Sequence, residues 1–437
     1  MKKLFVLILI LILAFKAESQ VSDSITFEWC YEKALKNYPA LKQKNIYSES
    51  AALKLKNIRS SYYPKLDINA QATYQSDVTK VTVPQPEIKF NSQVPAALIP
   101  ELMMPAMDEP SKDQYKISLD VSQLIWDGGI SKAQKYAEMA NLAADTQKVE
   151  VELYQLKEKI NQMCFSILMF QEKEKLADIL ISELKEKIKS MESAIKNGVA
   201  LPSAADMIQA EIMKIEQQKI EINYAKIASY KMLSEFVGEK ISENSGIRIP
   251  KTDNTISQPE RPEHKLFDMQ MQKIEASQKI LFRKNYPKLF GFAQLGYGKP
   301  GLNMFKKEFD EFYIIGAKLT WNIWDWKQTS NEVKIMNFQK DIIATQKEIF
   351  NKNLQMLLLN EQANIEKFQA LIKKDEEIIE LRSKIMKRSA SQLENGIITA
   401  NEYLTDVNNE TQAKLGLNIH KLQLIQAKIN YKTLMGK

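Results

Sequence analysis

The residues best suited to metal binding or nucleophilic chemistry are few and scattered. The chain of 437 residues contains two histidines, His264 and His420, and two cysteines, Cys30 and Cys164. Neither histidine can form a metal site alone, and we expect both on the surfaces of helices. Glycine-rich phosphate loops, nucleophile elbows and clusters of paired cysteines are missing from the sequence. We therefore predict a protein that is not an enzyme and has no catalytic residues, no metal site and no cofactor.

Three methionines in the segment PELMMPAMDEP could bind a soft metal ion. Their thioether groups would suit copper, and they lie close together at Met103, Met104 and Met107. The surrounding segment, at about 95–110, falls between two predicted strands. We favour an apolar external loop over a copper site as the interpretation of this segment.

The amino terminus has the pattern of a secretory signal peptide. Two lysines precede an apolar run from Leu4 to Phe15, and the small residues Ala17 and Ser19 suit a cleavage site. The run is shorter than the roughly 20 residues that a helical membrane span needs. We therefore predict a signal peptide at 1–19 and export of the rest. The two cysteines exclude a disulfide scaffold but leave a single bridge open.

The chain is an internal duplication. YPKLDINAQATY, at 63–74, matches YPKLFGFAQLGY, at 286–297, and the two copies of Ile-Trp-Asp and of Asn-Gly also correspond. Each half has the order short helix, strand, loop, strand, long helix, Asn-Gly break and helix. We predict the first repeat at 20–237, a polar linker at 238–262 and the second repeat at 263–437.

Four segments alternate apolar and polar residues, as strands with one apolar face do. They lie at about 65–76, 115–126, 288–298 and 312–324, and the third is blurred by two phenylalanines and three glycines. Each is about as long as a tilted strand that crosses a membrane, and aromatic residues lie near several ends. An ordinary soluble sheet with one buried face is the alternative.

Four strands cannot close a membrane barrel, because small barrels need about eight strands and an open edge is not tolerated in lipid. Three copies would supply twelve strands, a number within the range of outer-membrane barrels. Two copies would close only a narrow, side-chain-filled barrel. A conducting channel therefore favours a homotrimer in contact with outer-membrane lipid.

Helices account for most of the chain. Residues 130–197 and 317–395 contain neither Gly nor Pro, which predicts long helices at about 128–196 and 326–394. At about 1.5 Å per residue, each would reach roughly 100 Å. Their antiparallel partners are predicted at 203–237 and at 397–415, with a continuation to 435. Helices of this length form coiled coils. The fold class is therefore mainly α with a β-barrel membrane part.

The net charge is +7, but the lysine and arginine residues that cause it do not form basic blocks. The charge therefore gives no support for nucleic-acid binding.

This repeated order resembles the TolC family of outer-membrane efflux proteins over essentially the whole mature chain. NGVALPSAAD, at 197–206, and NGIITANEYLTD, at 395–406, are similar to the paired helix-hairpin tips of that family, with Asn in place of the usual Val. The resemblance implies a periplasmic α-barrel of coiled-coil helices on a trimeric twelve-stranded outer-membrane β-barrel. It also implies a passive exit duct of a tripartite efflux or type I secretion system in a Gram-negative bacterium.

The family's tips, at about 197–202 and 395–400 here, dock a periplasmic adaptor (membrane fusion protein). The adaptor joins the duct to an inner-membrane pump of resistance-nodulation-division, ABC or major-facilitator type. The resemblance implies docking contacts at Gly198, Val199, Ala200 and Leu201 and at Gly396, Ile397, Ile398 and Thr399. Glycine permits the close backbone approach that docking needs. The alternative is that each Asn-Gly merely ends a helix.

Family members narrow their tunnel with acidic residues just after the second tip. The resemblance places Glu402, Thr405 and Asp406 at this periplasmic constriction. Three Glu402 carboxylates in a trimer would attract cations and disfavour anions. The alternative is a solvated helix face. At the level of the whole protein, the alternative function is that of a periplasmic coiled-coil structural protein with a soluble β domain.

Overall fold

The computed structural model describes residues 24–80, 109–196, 201–250 and 260–437. The predicted signal peptide, nearly all of the methionine-containing segment and part of the predicted linker lie outside these ranges. Gly198, Val199 and Ala200 of the first predicted tip also lie outside them.

The described chain is mainly helical and repeats one order of elements twice, which confirms the predicted mainly α class and the predicted duplication. The first half consists of β1 (Ser24–Thr26), α1 (Phe27–Asn37), α2 (Ala40–Ser60), β2 (Lys65–Tyr74), β3 (Asp113–Trp126), α3 (Ile130–Lys196) and α4 (Pro202–Val237). The second half follows β4 (Gly246–Arg248) and consists of α5 (Pro262–Lys284), β5 (Lys288–Lys299), β6 (Asp310–Thr320), α6 (Gln328–Glu394) and α7 (Ala400–Leu434).

Two element boundaries differ from the sequence prediction. The last helix begins at Ala400 rather than at 397, and it runs without interruption through Gly416 to Leu434. One glycine costs a helix only about 1 kcal/mol relative to alanine, and the long flanking segments outweigh that cost. Strand β6 ends at Thr320, because Thr320 pairs with Lys288 at the start of β5 and later residues have no strand opposite them.

Backbone contacts divide the chain into two compact units. The sheet unit comprises Glu49–Asn141 and Gln272–Lys340. Its four strands are antiparallel in the order β2-β3-β5-β6, so one hairpin from each half joins the other through β3 and β5.

The helical unit comprises Met1–Ser48, Leu142–Met271 and Asp341–Lys437. One buried cluster includes Phe27 of α1, Phe165 of α3 and Tyr230 of α4. Beside it, the short strands β1 and β4 pair in parallel. A second buried cluster lies near the helix ends, where Ile208 of α4 and Leu404 of α7 are among its members.

Candidate functional site

The four-stranded sheet has one apolar face, and that face is open. Residues directly opposite each other share a face, so Ile68, Leu119, Leu295 and Tyr313 form one row across all four strands. Ile68 is 75% exposed and Tyr313 is 70% exposed. Leu66, Ile117, Tyr297, Ile315 and Leu319 extend the same exposed face. An apolar surface of this extent requires an apolar environment or partner.

The opposite face explains why the alternation in β5 is blurred. Phe292 and Phe312 lie on it, and each faces a glycine on the neighbouring strand. A Cβ at Gly296 would approach the Phe312 ring to 2.2 Å, and a Cβ at Gly316 would approach the Phe292 ring to 2.7 Å. The glycines therefore make room for the aromatic rings.

Polar side chains on this second face connect three strands. Asp120 of β3 accepts hydrogen bonds from Asn69 of β2, from Ser118 at 3.2 Å and from Gln294 of β5 at 2.5 Å. Lys116 donates to Gln294 from the same face at 3.3 Å. The sheet therefore opposes an exposed apolar face with a hydrogen-bonded polar one.

The outer strands of the sheet, β2 and β6, each pair on one side only within the described chain. An unpaired strand edge exposes backbone N–H and C=O groups that can pair with another strand. Among the described residues, none of the helices has an apolar stretch that could span a lipid bilayer.

The two Ile-Trp-Asp copies use their aspartates at the starts of the long helices. Asp127 accepts from the backbone N–H groups of Gly129 at 2.8 Å and Ser131 at 2.7 Å. Asp325 accepts from the backbone N–H of Thr329 at 3.0 Å. Hydrogen bonds from Thr329 hold the pKa of Asp325 below its ordinary value. The repeated aspartate therefore fixes the transition from strand to helix in both halves.

The second hairpin tip has a defined turn. Gly396 has φ +69°, in the left-handed region that favours glycine. The Ile397 N–H donates to the Gln392 carbonyl at 2.9 Å, and the Gly396 N–H donates to the Leu393 carbonyl at 3.1 Å. This pair of hydrogen bonds is a Schellman motif, which satisfies carbonyls at the end of α6.

The aliphatic side chains at the tips are not all exposed. Ile397 is 68% exposed, whereas Ile398 packs partly against the second buried cluster. Leu201, the described residue of the first predicted tip, is exposed directly before Pro202, where α4 begins. The described tip residues therefore present two aliphatic side chains at the helix-hairpin ends, while Thr399 has a capping role.

Glu402 and Thr399 form a capping box at the start of α7. The Glu402 N–H donates to the Thr399 hydroxyl at 3.3 Å, and the Thr399 N–H donates to the Glu402 carboxylate at 2.8 Å. Hydrogen bonds from the Thr399 backbone N–H and hydroxyl hold the pKa of Glu402 below its ordinary value. Glu402 is exposed and charged at neutral pH, but its carboxylate also has a local structural task.

The other two residues predicted at the constriction lie on the next turn of α7. Thr405 is exposed and donates to the Asn401 carbonyl at 2.8 Å. Asp406 is half-buried and accepts a hydrogen bond from the Ser389 hydroxyl of α6. Asp406 therefore ties the two helices of the second hairpin together just behind the tip.

Lys187 of α3 lies near the second hairpin tip, although the sequence does not predict it there. It is 8% exposed, and its ammonium group lies 2.8 Å from the Glu394 carboxylate, 3.3 Å from the Ala390 carbonyl and 5.3 Å from the Tyr403 ring. These contacts join α3 to α6 and α7 near the tip. A lysine on a lysine-rich helix gives no sequence signal of burial.

The described residues contain no group of three or more His, Cys, Asp or Glu side chains that could hold a metal ion. The two histidines are half-buried rather than on the surface as expected. His420 Nδ1 of α7 lies 2.6 Å from Asp375 Oδ2 of α6, and the His264 ring packs against Phe350.

A known protein family has a model that matches the first half of the chain. The model of the family described as "Outer membrane efflux protein" matches residues 30–239, which run from within α1 to just past the end of α4. A comparison with curated proteins finds no match.

Solved structures resemble almost the whole chain. The outer membrane protein VceC of Vibrio cholerae has a TM-score of 0.65 at 14% identity, with 94% of this chain and 96% of that chain covered. The Campylobacter jejuni CmeC outer membrane channel has a TM-score of 0.64 at 16% identity, with coverage of 94% and 85%. The open state of the Neisseria gonorrhoeae MtrE outer membrane channel has a TM-score of 0.63 at 13% identity, with coverage of 94% and 88%.

Proposed function

We propose that the chain is a member of the outer membrane efflux protein family, whose model matches residues 30–239, and that three copies assemble into a passive exit duct for solutes that an inner-membrane pump delivers. The protein is not an enzyme. It is located in the outer membrane of a Gram-negative bacterium and extends into the periplasm.

The observation that carries the proposal is the two-faced, open-edged sheet. The exposed apolar row that contains Ile68 and Tyr313 is suited to contact with lipid. The polar face that contains Asp120 is suited to a water-filled lumen. Because β2 and β6 each pair on one side only among the described residues, the β2 edge of one copy can pair with the β6 edge of the next. Three copies then close twelve strands with no edge left in lipid.

The helices support the same assembly. On α6, Ile342, Ile349 and Met356 are exposed and separated by seven residues each. A sustained heptad spacing of apolar residues is typical of a seam that packs against another helix. Neighbouring copies of this chain would cover that seam, and the long helices would then continue the lumen as a periplasmic α-barrel.

We further propose that the tips bind a periplasmic adaptor and, through it, a pump of a tripartite efflux or type I secretion system. The exposed side chains of Leu201 and Ile397 and the turn at Gly396 support this role, since a small, partly apolar tip suits packing against a helical partner. Gly198, Val199, Ala200, Ile398 and Thr399 complete the proposed docking set.

At the constriction, we propose that Glu402 both caps α7 and supplies charge to the lumen, with Thr405 and Asp406 behind it. The capping box holds each carboxylate at a helix start and keeps it ionised. Three such carboxylates would favour the entry of cations.

One substitution separates the effect of the Glu402 charge from the role of Glu402 in capping α7. Glutamine can still accept the Thr399 hydrogen bond, so Glu402→Gln removes the charge and preserves the start of the helix. The purified protein should have the mass of a trimer by light scattering and a cation-preferring conductance in a planar bilayer. Glu402→Gln should reduce that preference at least twofold and lower the thermal unfolding midpoint only slightly, since a neutral amide accepts the capping hydrogen bond more weakly than a carboxylate does.

Glu380→Gln is the matched control, since Glu380 is exposed on α6 and pairs with Lys384 in its own helix. It should leave conductance and selectivity unchanged. An unchanged selectivity in Glu402→Gln would reject the acidic constriction but keep the duct. A soluble monomer without conductance would reject the duct itself and support a periplasmic coiled-coil protein with a soluble β domain.

A further inference from the structure

Helices α1 and α3 meet through three side-chain pairs in antiparallel register. The rings of Phe27 and Phe165 contact edge to face with centroids 5.2 Å apart. One turn along α1, the Tyr31 hydroxyl donates to the Asn161 side chain of α3. Between these two pairs, Cys30 and Cys164 lie in the same buried cluster, close enough that Cys30 raises the pKa of the Cys164 thiol. The partners on both helices therefore follow the spacing of a single helix face.

Both cysteines are completely buried. Cys30 and Cys164 are each 0% exposed, belong to the same buried cluster and are free thiols in this structure. The flanking contacts of Phe27 with Phe165 and of Tyr31 with Asn161 fix both helices at this point, so neither cysteine can leave the shared core without unpacking it. No set of three metal-ligating side chains includes them among the described residues.

We propose that Cys30 and Cys164 form an intramolecular disulfide that joins α1 covalently to α3 in the exported protein. The compartment supports this assignment, because thiols of proteins outside the cytoplasm are exposed to oxidants. The bond would hold the short amino-terminal helix against the long helix from a distant part of the sequence, where a cross-link constrains the unfolded chain strongly.

The reaction is a thiol–disulfide exchange with an oxidised dithiol protein of the periplasm. The thiolate of one cysteine attacks the donor disulfide, forms a mixed disulfide and releases one donor thiolate. The second cysteine thiolate then attacks the first cysteine's sulfur and releases the other donor thiolate. The two chain thiols lose two electrons and two protons. The donor gains the electrons, and its two thiolates take up the protons.

The order of folding and oxidation follows from the burial. The hydrogen bond with Cys30 and burial raise the pKa of the Cys164 thiol well above its ordinary range. Because the thiolate is the reacting form, exchange is fast while the chain is still open and slow after α1 has packed. Once it is buried, the disulfide is also protected from reductants.

Thiol trapping tests the bond directly. Full-length protein would be purified from outer membranes, denatured in N-ethylmaleimide without reductant and analysed by mass spectrometry, with a disulfide-containing periplasmic protein from the same cells as an internal oxidation standard. We expect no alkylated cysteine and one linked peptide pair that contains Cys30 and Cys164. Dithiothreitol before alkylation should add two maleimide groups per chain. Two alkylated cysteines without reductant, or a Cys30–Cys30 link between chains, would overturn the proposal.

Thermal unfolding supplies a second measurement. Reductant present during unfolding should lower the midpoint of the wild-type protein by several degrees. It should not change the midpoint of the double variant Cys30→Ala, Cys164→Ala, which retains the surrounding core. Equal midpoints of the wild-type protein with and without reductant would contradict a bond that stabilises the fold. Neither measurement depends on conductance, so failure here leaves the proposed duct intact.

Discussion

Two glycines with equally open surroundings differ in backbone conformation. A Cβ added at Gly396 or at Gly416 would meet nothing within 4 Å, but only Gly396 has a positive φ, at +69°. Gly396→Ala should therefore destabilise the tip by about 1–2 kcal/mol, because an L-residue is strained in the left-handed region.

Gly416→Ala is the matched control, and it should stabilise the protein by about 0.5–1 kcal/mol, since alanine is a better residue than glycine inside a helix. Thermal unfolding of the purified protein should give midpoints that move in opposite directions. Movement in the same direction would refute the conformational explanation.

Some residue-scale features of the tip could be predicted from the sequence. The Asn-Gly pair at the end of a Gly-free stretch predicts a helix end, and the turn at Gly396 has that form. The capping box also has a signal in the sequence, since Thr399 is followed three residues later by Glu402. The burial of Lys187 could not be predicted, because it depends on Tyr403 and Glu394 from the other half of the chain.

At the scale of elements, an ion pair of unequal burial connects the two hairpins. The Lys187 side chain is buried whereas that of Glu394 is largely exposed. Glu394→Gln leaves an ammonium group buried without a carboxylate, which should cost about 1–3 kcal/mol. Lys187→Met replaces the lysine with an apolar side chain of similar length and leaves a carboxylate that water can hydrate, so its cost should stay within about 1.5 kcal/mol.

Thermal midpoints of the single variants and of the double variant measure this asymmetry. Adding Lys187→Met to Glu394→Gln should recover most of the loss, because the unpaired buried charge is then gone. Glu380→Gln serves as the control for an exposed pair and should leave the thermal midpoint nearly unchanged. An effect of Glu394→Gln no larger than that of the control would show that Lys187 does not need its partner.

Helices and strands that depend only on their own sequence can be predicted more easily than the pairing and the ends of strands, which depend on other segments. Long stretches without Gly or Pro predict α3 and α6, and period-two alternation predicts β2 and β3. The end of β6 at Thr320 depends on where β5 begins, which is a property of another segment. The pairing of β3 with β5 is likewise set by contacts between the two halves, so alternation alone does not contain it.

At the scale of the whole molecule, the two faces of the sheet distinguish an outer-membrane duct from a soluble domain. Ile68 and Asn69 are adjacent on β2 and belong to opposite faces, since Ile68 pairs with Leu119 and Asn69 hydrogen-bonds to Asp120. Adjacent residues on one strand have nearly the same depth in a bilayer. They therefore form a matched pair in which only the environment of the side chain differs.

A lysine in place of Ile68 would face lipid in the proposed trimer, which costs about 2–4 kcal/mol per chain at the centre of the bilayer. A lysine in place of Asn69 would face the lumen beside the Asp120 carboxylate. We therefore expect Ile68→Lys to reduce the yield of folded trimer in outer membranes at least tenfold. Asn69→Lys should assemble normally and change only the conductance. If the sheet were a soluble domain, Ile68→Lys would place a charge in water and assemble as well as Asn69→Lys, so equal trimer yields would contradict a lipid-facing sheet.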